Sequence, residues 1–220
     1  MSYKFEEGKE EIIHAVVEKI TQCLDEGQTE FCAEFAKQFY GTVALEDLLT
    51  WELDDLYGAV VNFWSLIKER KPHQTKIRIY NPEFERDGWQ TTHTVVEVIC
   101  DDMPFLVDSI RMVINRMNIS SHLIVHMGGI RVKRDDHNTV DKILTRTASS
   151  RSKEVLHEAP IFLEIDRETN PLILEELQQK ITKALEDNKM VFEDWEAMRS
   201  KVLKTATELD AIPEIGRAHV

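Results

Sequence analysis

The sequence is short of glycine, and its few glycines are scattered. They lie at positions 8, 27, 41, 58, 88, 128, 129 and 216. None of these placements forms the G-x-G-x-x-G or Walker loop that lets a backbone approach a pyrophosphate. We therefore expect no conventional dinucleotide or nucleoside triphosphate site, and no cofactor, in this chain.

Positive charge and long apolar runs are also scarce. The 220 residues carry 27 Lys+Arg against 40 Asp+Glu, a net charge of −13. Nucleic acids and anionic membranes bind basic faces, so we expect neither as a partner. No apolar run approaches the ~18 residues of a membrane span. The charged N-terminus lacks an apolar signal core, which predicts a cytoplasmic protein.

Cysteine is the third scarce residue type. Cys23, Cys32 and Cys100 are odd in number, widely spaced and set among apolar residues. This pattern favours reduced thiols in a core over a disulfide framework or a zinc site. The carboxylates that follow Cys100 raise a thiol pKa, which opposes its activation as a nucleophile.

The first clear pattern in the sequence is a helical periodicity of apolar residues. It predicts an N-terminal helical unit over residues 1–72. Apolar residues recur at spacings of three and four in three successive stretches. These stretches lie at about 12–24, 31–39 and 53–67.

From Thr75 the period changes to that of strands. Short β-rich runs at 75–80, 94–100, 119–127 and 161–165 predict four strands, the third one continuing past Gly128-Gly129. Helices are predicted after Pro104 and Pro171. The order β–β–α–β–β–α predicts an α+β fold of ferredoxin-like type, with both helices on one face of the sheet. This order of elements resembles that of the regulatory ACT module with the module's last strand moved to the front.

The rest of the chain is predicted to divide into an ACT-like domain and a C-terminal segment. Residues 73–190 form the ACT-like domain, within which 134–157 lack a sustained period and are interpreted as a mobile excursion. Residues 191–220 are predicted to hold one further helix and a truncated linker.

One block of the sequence is distinctive enough to suggest a family. Thr94–Ile110 reads TVVEVICDDMPFLVDSI. Shorter segments flank it: Arg78–Pro82, Asp87–Trp89, Thr92-His93, Ser121–His126, Glu164–Arg167 and Glu193–Trp195. Together they resemble the N-terminal region of the large bacterial NAD-specific glutamate dehydrogenases, over roughly residues 50–205.

The resemblance implies a regulatory or oligomerisation region without catalytic, cofactor-binding or metal-ligating residues. NAD and glutamate would bind in a downstream catalytic domain. The implied partners are a second copy of the chain, the downstream domains of the same polypeptide and an amino-acid effector. A free-standing ACT-like sensor or interaction module stays open as the alternative.

The loop before the predicted central helix is the candidate site. ACT modules commonly carry Asp-x-Pro-Gly-x-Leu-x-x-Ile here, and this sequence has Phe105 in the glycine position. We expect its ring to fill the usual ligand pocket. The candidate effector or interface residues are Asp101, Asp102, Met103, Pro104, Phe105, Asp108, Asn118 and Ser120.

Two interpretations of the aspartates stay open. Asp101, Asp102 and Asp108 could form an acidic pocket for an amino group or a cation. Alternatively, Asp101 or Asp102 caps the helix, as such residues commonly do, and Asp108 pairs with a neighbour such as Arg111. His122 and His126 are four apart on a predicted strand, about 13 Å, too far to share a metal ion.

Overall fold

The computed structural model describes residues 2–144 and 155–210 of the chain. The helices are α1 (Ser2–Cys23), α2 (Glu26–Gly41), α3 (Leu45–Leu48), α4 (Leu53–Ile67), α5 (Phe84–Asp87), α6 (Leu106–Arg116) and α7 (Pro171–Asp210). The strands are β1 (Lys76–Tyr80), β2 (Thr94–Asp101), β3 (Ser121–His126), β4 (Ile130–Arg134), β5 (Val140–Leu144) and β6 (Leu156–Ile165). None of the described helices combines the length and apolarity needed to cross a bilayer.

The strands form one antiparallel sheet in the order β1–β2–β6–β4–β5, with β3 also paired to β6. β6 is central: β2 lies along one side, while β3 and β4 share the other. Gly128 and Gly129 separate β3 from β4 with φ of 68° and 81°, a conformation that glycine adopts readily. The strand predicted to run past these glycines is therefore two successive strands.

Helices α6 and α7 cover one face of the sheet, which confirms the predicted α+β arrangement. Val96, Val98 and Cys100 of β2 point to this face and pack with apolar residues of both helices. Because side chains alternate along a strand, Val95 and Ile99 point to the other face.

The opposite face is covered by the N-terminal helices. Phe35 and Phe39 of α2, Phe63 of α4 and Phe162 of β6 form an aromatic cluster with centroids 5.6–6.0 Å apart. Burial of β2 on both faces explains why its sequence is an almost continuous apolar run rather than an alternating one. The domain boundary expected at residue 72 falls between α4 and β1. Residues of both elements nevertheless pack in this same core.

Within the described part of the chain the sheet has six strands, where the sequence predicted four. Val140–Leu144 forms β5 inside the stretch interpreted as a mobile excursion, and residues 145–154 of that stretch lie outside the described residues. Asp135 Oδ1 accepts hydrogen bonds from the backbone N–H groups of His137 and Thr139, which closes the β4–β5 turn. Only Val140 and Ile143 are buried in β5, too few to show a strand period.

A single helix, α7, replaces the two that were expected after Pro171. Its 40 residues span about 60 Å, and the boundary placed between 190 and 191 lies inside it. Leu177, Ile181 and Leu185 are buried against the sheet and α6. Beyond Asn188 the apolar side chains become exposed.

Candidate functional site

Phe105, in the loop between β2 and α6, has a strained backbone. Its φ of 64° and ψ of 13° lie in the left-handed region, which costs a non-glycine residue roughly 1–2 kcal/mol. The loop thus keeps the conformation that glycine would favour, although the residue is phenylalanine. The side chain is 71% exposed. The expectation that the ring fills a ligand pocket is therefore wrong, because the ring faces solvent.

The rest of this loop is attached to α7. The Pro104 carbonyl accepts a hydrogen bond from Asn188 Nδ2 at 2.8 Å, and Met103 is half-buried while Asp108 is exposed. Phe105 is the N-cap residue of α6, and no side chain caps this helix. Neither Asp101 nor Asp102 is a helix cap, in contrast to one of the two interpretations above.

Asp101 instead belongs to a network of ion pairs. Arg70 Nη2 lies 2.6 Å from Asp101 Oδ1, and His73 Nδ1 lies 2.7 Å from Oδ2. Partial burial raises the pKa of Asp101, but the hydrogen bonds from Arg70 and His73 outweigh it and hold that pKa below its ordinary value. The Asp101 carboxylate is thus engaged within the chain.

Glu158 joins this network from β6. Its carboxylate is fully buried, 2.9 Å from Arg70 Nη1, and it accepts hydrogen bonds from Arg134 Nε and Nη2 at 2.8 and 2.7 Å. Arg134 also donates to the carbonyls of Ile67 and Lys68 at the end of α4. The network therefore fixes the helical layer to one end of the sheet.

Asp102 lies against the turn between β3 and β4. A β-carbon at Gly129 would lie only 2.5 Å from Asp102 Oδ2, and Gly129 has a φ of 81°, so this turn favours glycine. The backbone N–H of Asp102 donates to the His157 carbonyl at 3.0 Å. The Asp102 side chain is exposed and lies beside this turn.

Asn118 and Ser120 lie at the other end of α6, which is eleven residues or about 16 Å long. The structure therefore does not bring them together with the loop at Asp101–Phe105. Ser120 pairs with Asp166: its N–H donates to Asp166 Oδ2, and its carbonyl accepts from the Asp166 N–H.

Sequence reasoning missed a polar cluster at this second end of the sheet. Glu164 is buried and accepts a hydrogen bond from Thr91 Oγ1 at 2.8 Å, with His93 Nδ1 3.5 Å away. The rings of His93 and His122 are 4.3 Å apart, and His122 Nε2 lies 2.7 Å from Asp166 Oδ1. Burial raises the pKa of Glu164, although Thr91 and both histidines oppose this.

The cluster borders a cavity of about 530 Å³ between the helical layer and the sheet. Its lining is Thr50, Trp51, Asp55, Gln90, Thr91, Thr92, His93 and Glu164. Two carboxylates, hydroxyls and an aromatic wall suit a small molecule with an ammonium group. The signal in the sequence was weak, since Thr91 and Glu164 are 73 residues apart and meet only through the register of β2 on β6.

The cysteines are free, and two of them are buried. Burial raises the pKa values of Cys32 and Cys100 to about 12, so both are poor nucleophiles. Cys23 is exposed, contrary to the expectation of a core thiol. Among residues 2–144 and 155–210, no three His, Cys, Asp or Glu side chains are grouped as metal ligands.

The fold and the β2–α6 loop together define an ACT-like α+β domain. The family model described as "Glutamate dehydrogenase, ACT1 domain" matches residues 35–181, and the chain belongs to this family.

Curated relatives agree with this assignment. The chain is 36% identical to the NAD-specific glutamate dehydrogenase of Halomonas elongata, over 94% of this chain and 13% of that protein. It is 33% identical to the protein of the same name from Pseudomonas aeruginosa, over 92% of this chain and 12% of that protein. The chain thus spans about an eighth of the length of these relatives.

Proposed function

We propose that this chain is a non-catalytic regulatory and assembly region of a large NAD-specific glutamate dehydrogenase. The observation that carries the proposal is the ACT1 domain match together with two relatives of that name, each several times longer than this chain. The whole protein would convert L-glutamate, NAD⁺ and water to 2-oxoglutarate, ammonium, NADH and a proton. NAD would bind in another part of the polypeptide.

Two features of the chain support a role other than catalysis. The glycines provide no conventional dinucleotide loop. The Cys32 and Cys100 thiols are buried with raised pKa values, and Asp101 and Glu158 are engaged in ion pairs with Arg70. A cytoplasmic location is part of the proposal, supported by cysteines that are free rather than paired.

The proposed effector is an amino acid, and the cavity beside Glu164 is its proposed site. Asp55 comes from α4, Thr91 from the segment before β2 and Glu164 from β6. A ligand whose ammonium group contacts these carboxylates would join the helical layer to the sheet. Such a ligand regulates the enzyme only if it binds one conformational state more tightly than another.

A thermal-shift screen of the 220-residue chain tests this function. We expect one amino acid to raise the melting temperature, since a ligand that binds the folded state stabilises it. Glu164→Gln should abolish the shift, whereas Glu175→Gln, on the exposed surface of α7, should retain it. NAD should leave the melting temperature unchanged. Stabilisation by NAD would contradict the expectation that this chain has no cofactor site. If no amino acid raises the melting temperature, the proposed effector role is wrong.

A free-standing ACT-like sensor is the second candidate, favoured by the same cavity. The size of the natural gene product distinguishes the two functions. An immunoblot of the source organism with antibodies against this chain should show a band several-fold larger than 25.6 kDa if the chain is part of a dehydrogenase. A band at 25.6 kDa would support the sensor.

A further inference from the structure

A second cavity adjoins the one beside Glu164. It has a volume of about 720 Å³, and Phe84 and Arg167 are among the residues that line it. Residues 90–92 line both this Arg167 cavity and the Glu164 cavity. The side chain of Thr92 is exposed, so a ligand that lies over it can enter both cavities.

The two cavities offer charges of opposite sign. The Glu164 cavity holds the carboxylates of Asp55 and Glu164, and no lysine or arginine from the described part of the chain lines it. In the other cavity, Arg167 Nη1 donates a hydrogen bond to the Thr91 carbonyl at 3.0 Å, and Arg167 forms no ion pair with a described carboxylate. A guanidinium has five N–H donors, so Arg167 keeps several of them for a carboxylate from outside the chain.

Thr91 fixes how far apart these charges lie. Its hydroxyl donates to Glu164 Oε1 at 2.8 Å, and its carbonyl accepts from Arg167. The carbonyl oxygen and Oγ1 of one threonine are at most about 5 Å apart with standard bond lengths, so Glu164 Oε1 and Arg167 Nη1 are at most about 11 Å apart. A charge-assisted hydrogen bond of about 2.8 Å at each end then leaves about 5 Å or less between the charged groups of a ligand. The ammonium and carboxylate groups of an α-amino acid, about 3 Å apart, fit this span.

We propose that Arg167 binds the α-carboxylate of the amino-acid effector while Glu164 and Asp55 bind its ammonium group. This inference rests on the effector role proposed above and makes the two cavities one bipolar site. Glu164 lies in β6, and Arg167 follows the end of that strand by two residues. The same strand end therefore supplies both charges.

His93 is the other side chain in the Glu164 cavity that can carry positive charge. Its Nδ1 lies 3.5 Å from Glu164 Oε2, and its ring centroid is 4.3 Å from that of His122. This nitrogen thus faces a carboxylate of the chain itself, whereas the Arg167 guanidinium does not. Arg167 is therefore the better partner for a ligand carboxylate.

Two glutamates also line the Arg167 cavity. Glu83 Oε2 lies 3.7 Å from Arg86 Nη1, and this cation offsets its charge. Glu85 opposes a bound carboxylate, but its side chain is exposed, so solvent and salt screen it. The charge fixed by the Thr91 carbonyl remains the positive charge of Arg167.

A thermal-shift screen with the L-amino acids and the α-carboxamide of each tests the assignment. A carboxamide keeps the ammonium group, which stays protonated at about pH 6.5, but lacks the charge that Arg167 binds. Dissociation constants follow from the dependence of the melting temperature on ligand concentration. We expect the amino acid that stabilises the wild-type chain to bind about tenfold more tightly than its carboxamide.

Arg167→Gln should remove this preference. The acid and its carboxamide should then bind within about twofold of each other, because the variant lacks the charge that distinguishes them. Arg199→Gln is the matched control: Arg199 is exposed on α7, away from both linings, so this variant should keep the tenfold preference. Comparing two ligands within one variant separates a direct contact from a general loss of stability.

Two outcomes would overturn the assignment. One is a tenfold preference that persists in Arg167→Gln; the other is a wild-type chain that binds the carboxamide as tightly as the acid. In either case the effector role still stands if an amino acid stabilises the wild-type chain and Glu164→Gln abolishes the shift. If no amino acid stabilises the wild-type chain, the effector role and the role of Arg167 are both wrong.

Discussion

At the scale of single residues, Phe105 is the strongest deviation from what its local structure favours. His73, Asn118 and Asn138 also have positive φ, but histidine and asparagine enter the left-handed region several-fold more often than other non-glycine residues. A bulky residue adopts this left-handed conformation only when the surrounding structure holds it in place. Backbone strain of this kind is concentrated at functional sites. Since the ring is exposed, the strain is not offset by burial of the side chain.

Phe105→Gly should stabilise the isolated chain. Glycine adopts φ of +64° without the steric cost that phenylalanine bears, and little apolar burial is lost. Allowing for the greater flexibility of glycine in the unfolded state, we expect a gain of about 0.5–1 kcal/mol in the free energy of unfolding. Urea denaturation followed by circular dichroism measures it.

Phe105→Ala is the control for this substitution. Alanine also removes the ring but keeps the β-carbon, and therefore keeps the left-handed penalty. It should not reproduce the gain seen with glycine. Equal stabilities of the two variants would show that the backbone conformation at Phe105 carries no strain.

At the scale of elements, the buried ion network joins parts of the chain that are distant in sequence. Glu158 of β6 holds Arg70, which follows α4, and Arg134 of β4. Arg134 in turn donates to the last carbonyls of α4. The network therefore links the helical layer, the β4–β5 hairpin and the centre of the sheet.

Glu158→Gln should destabilise the fold strongly. It leaves two guanidinium groups, whose side chains are 1% and 4% exposed, without their shared carboxylate. Removing one partner from a buried ion pair costs about 3–5 kcal/mol. For a chain of this size, each kcal/mol lowers the melting temperature by about 2–4 °C, which calorimetry resolves.

The matched control is Glu176→Gln. Glu176 pairs with Lys180 on the surface of α7, where both side chains are half exposed. Such a pair contributes less than about 1 kcal/mol. If the two substitutions had equal effects, the buried network would not be a determinant of stability.

The elements also show what the sequence could and could not predict. β2 and α6 followed from an unbroken apolar run and a clear helical stripe after Pro104, and the α+β order followed from them. β5 was missed because a five-residue strand with two buried side chains has no measurable period. α7 was divided in two because its exposed stripe beyond Asn188 looks like a second amphipathic helix.

The two polar clusters could not be predicted, for a different reason. Arg70, Arg134 and Glu158 are brought together by strand register and by the packing of α4 on the sheet. The Thr91–Glu164 contact depends on the same register. A sequence carries no local signal for contacts between residues so far apart in the chain. An isolated acidic residue in a buried strand, such as Glu97 or Glu164, nevertheless indicates that a polar partner must lie beside it.

At the scale of the whole molecule, the sheet is enclosed between two helical layers, and this enclosure buries charge. Glu97 points from β2 towards the N-terminal helices and is fully buried. Arg78 Nε donates to its carboxylate at 2.6 Å, and Tyr80 Oη donates at 3.2 Å. Desolvation is nevertheless the largest influence and raises the pKa of Glu97 to about 7.

The stability of the whole chain should therefore depend on pH through Glu97. In the unfolded chain this glutamate has an ordinary pKa near 4.5. Between pH 5 and 7 the folded state retains a proton that the unfolded state has lost. Its contribution to stability is thus full below about pH 4.5 and declines as pH rises through 7. The limiting slope is about −1.4 kcal/mol per pH unit.

Comparison with Glu97→Gln isolates this contribution. Glutamine resembles the protonated acid and does not titrate, so the free energies of unfolding of wild type and variant should be most similar near pH 5. They should diverge in favour of the variant up to about pH 7 and then run parallel. Asp101, whose pKa is lowered, affects both proteins equally and only at more acidic pH, with the opposite sign. A constant difference from pH 5 to 8 would mean that Glu97 stays ionised with Arg78 in the folded state, and that enclosure of the sheet does not outweigh that ion pair.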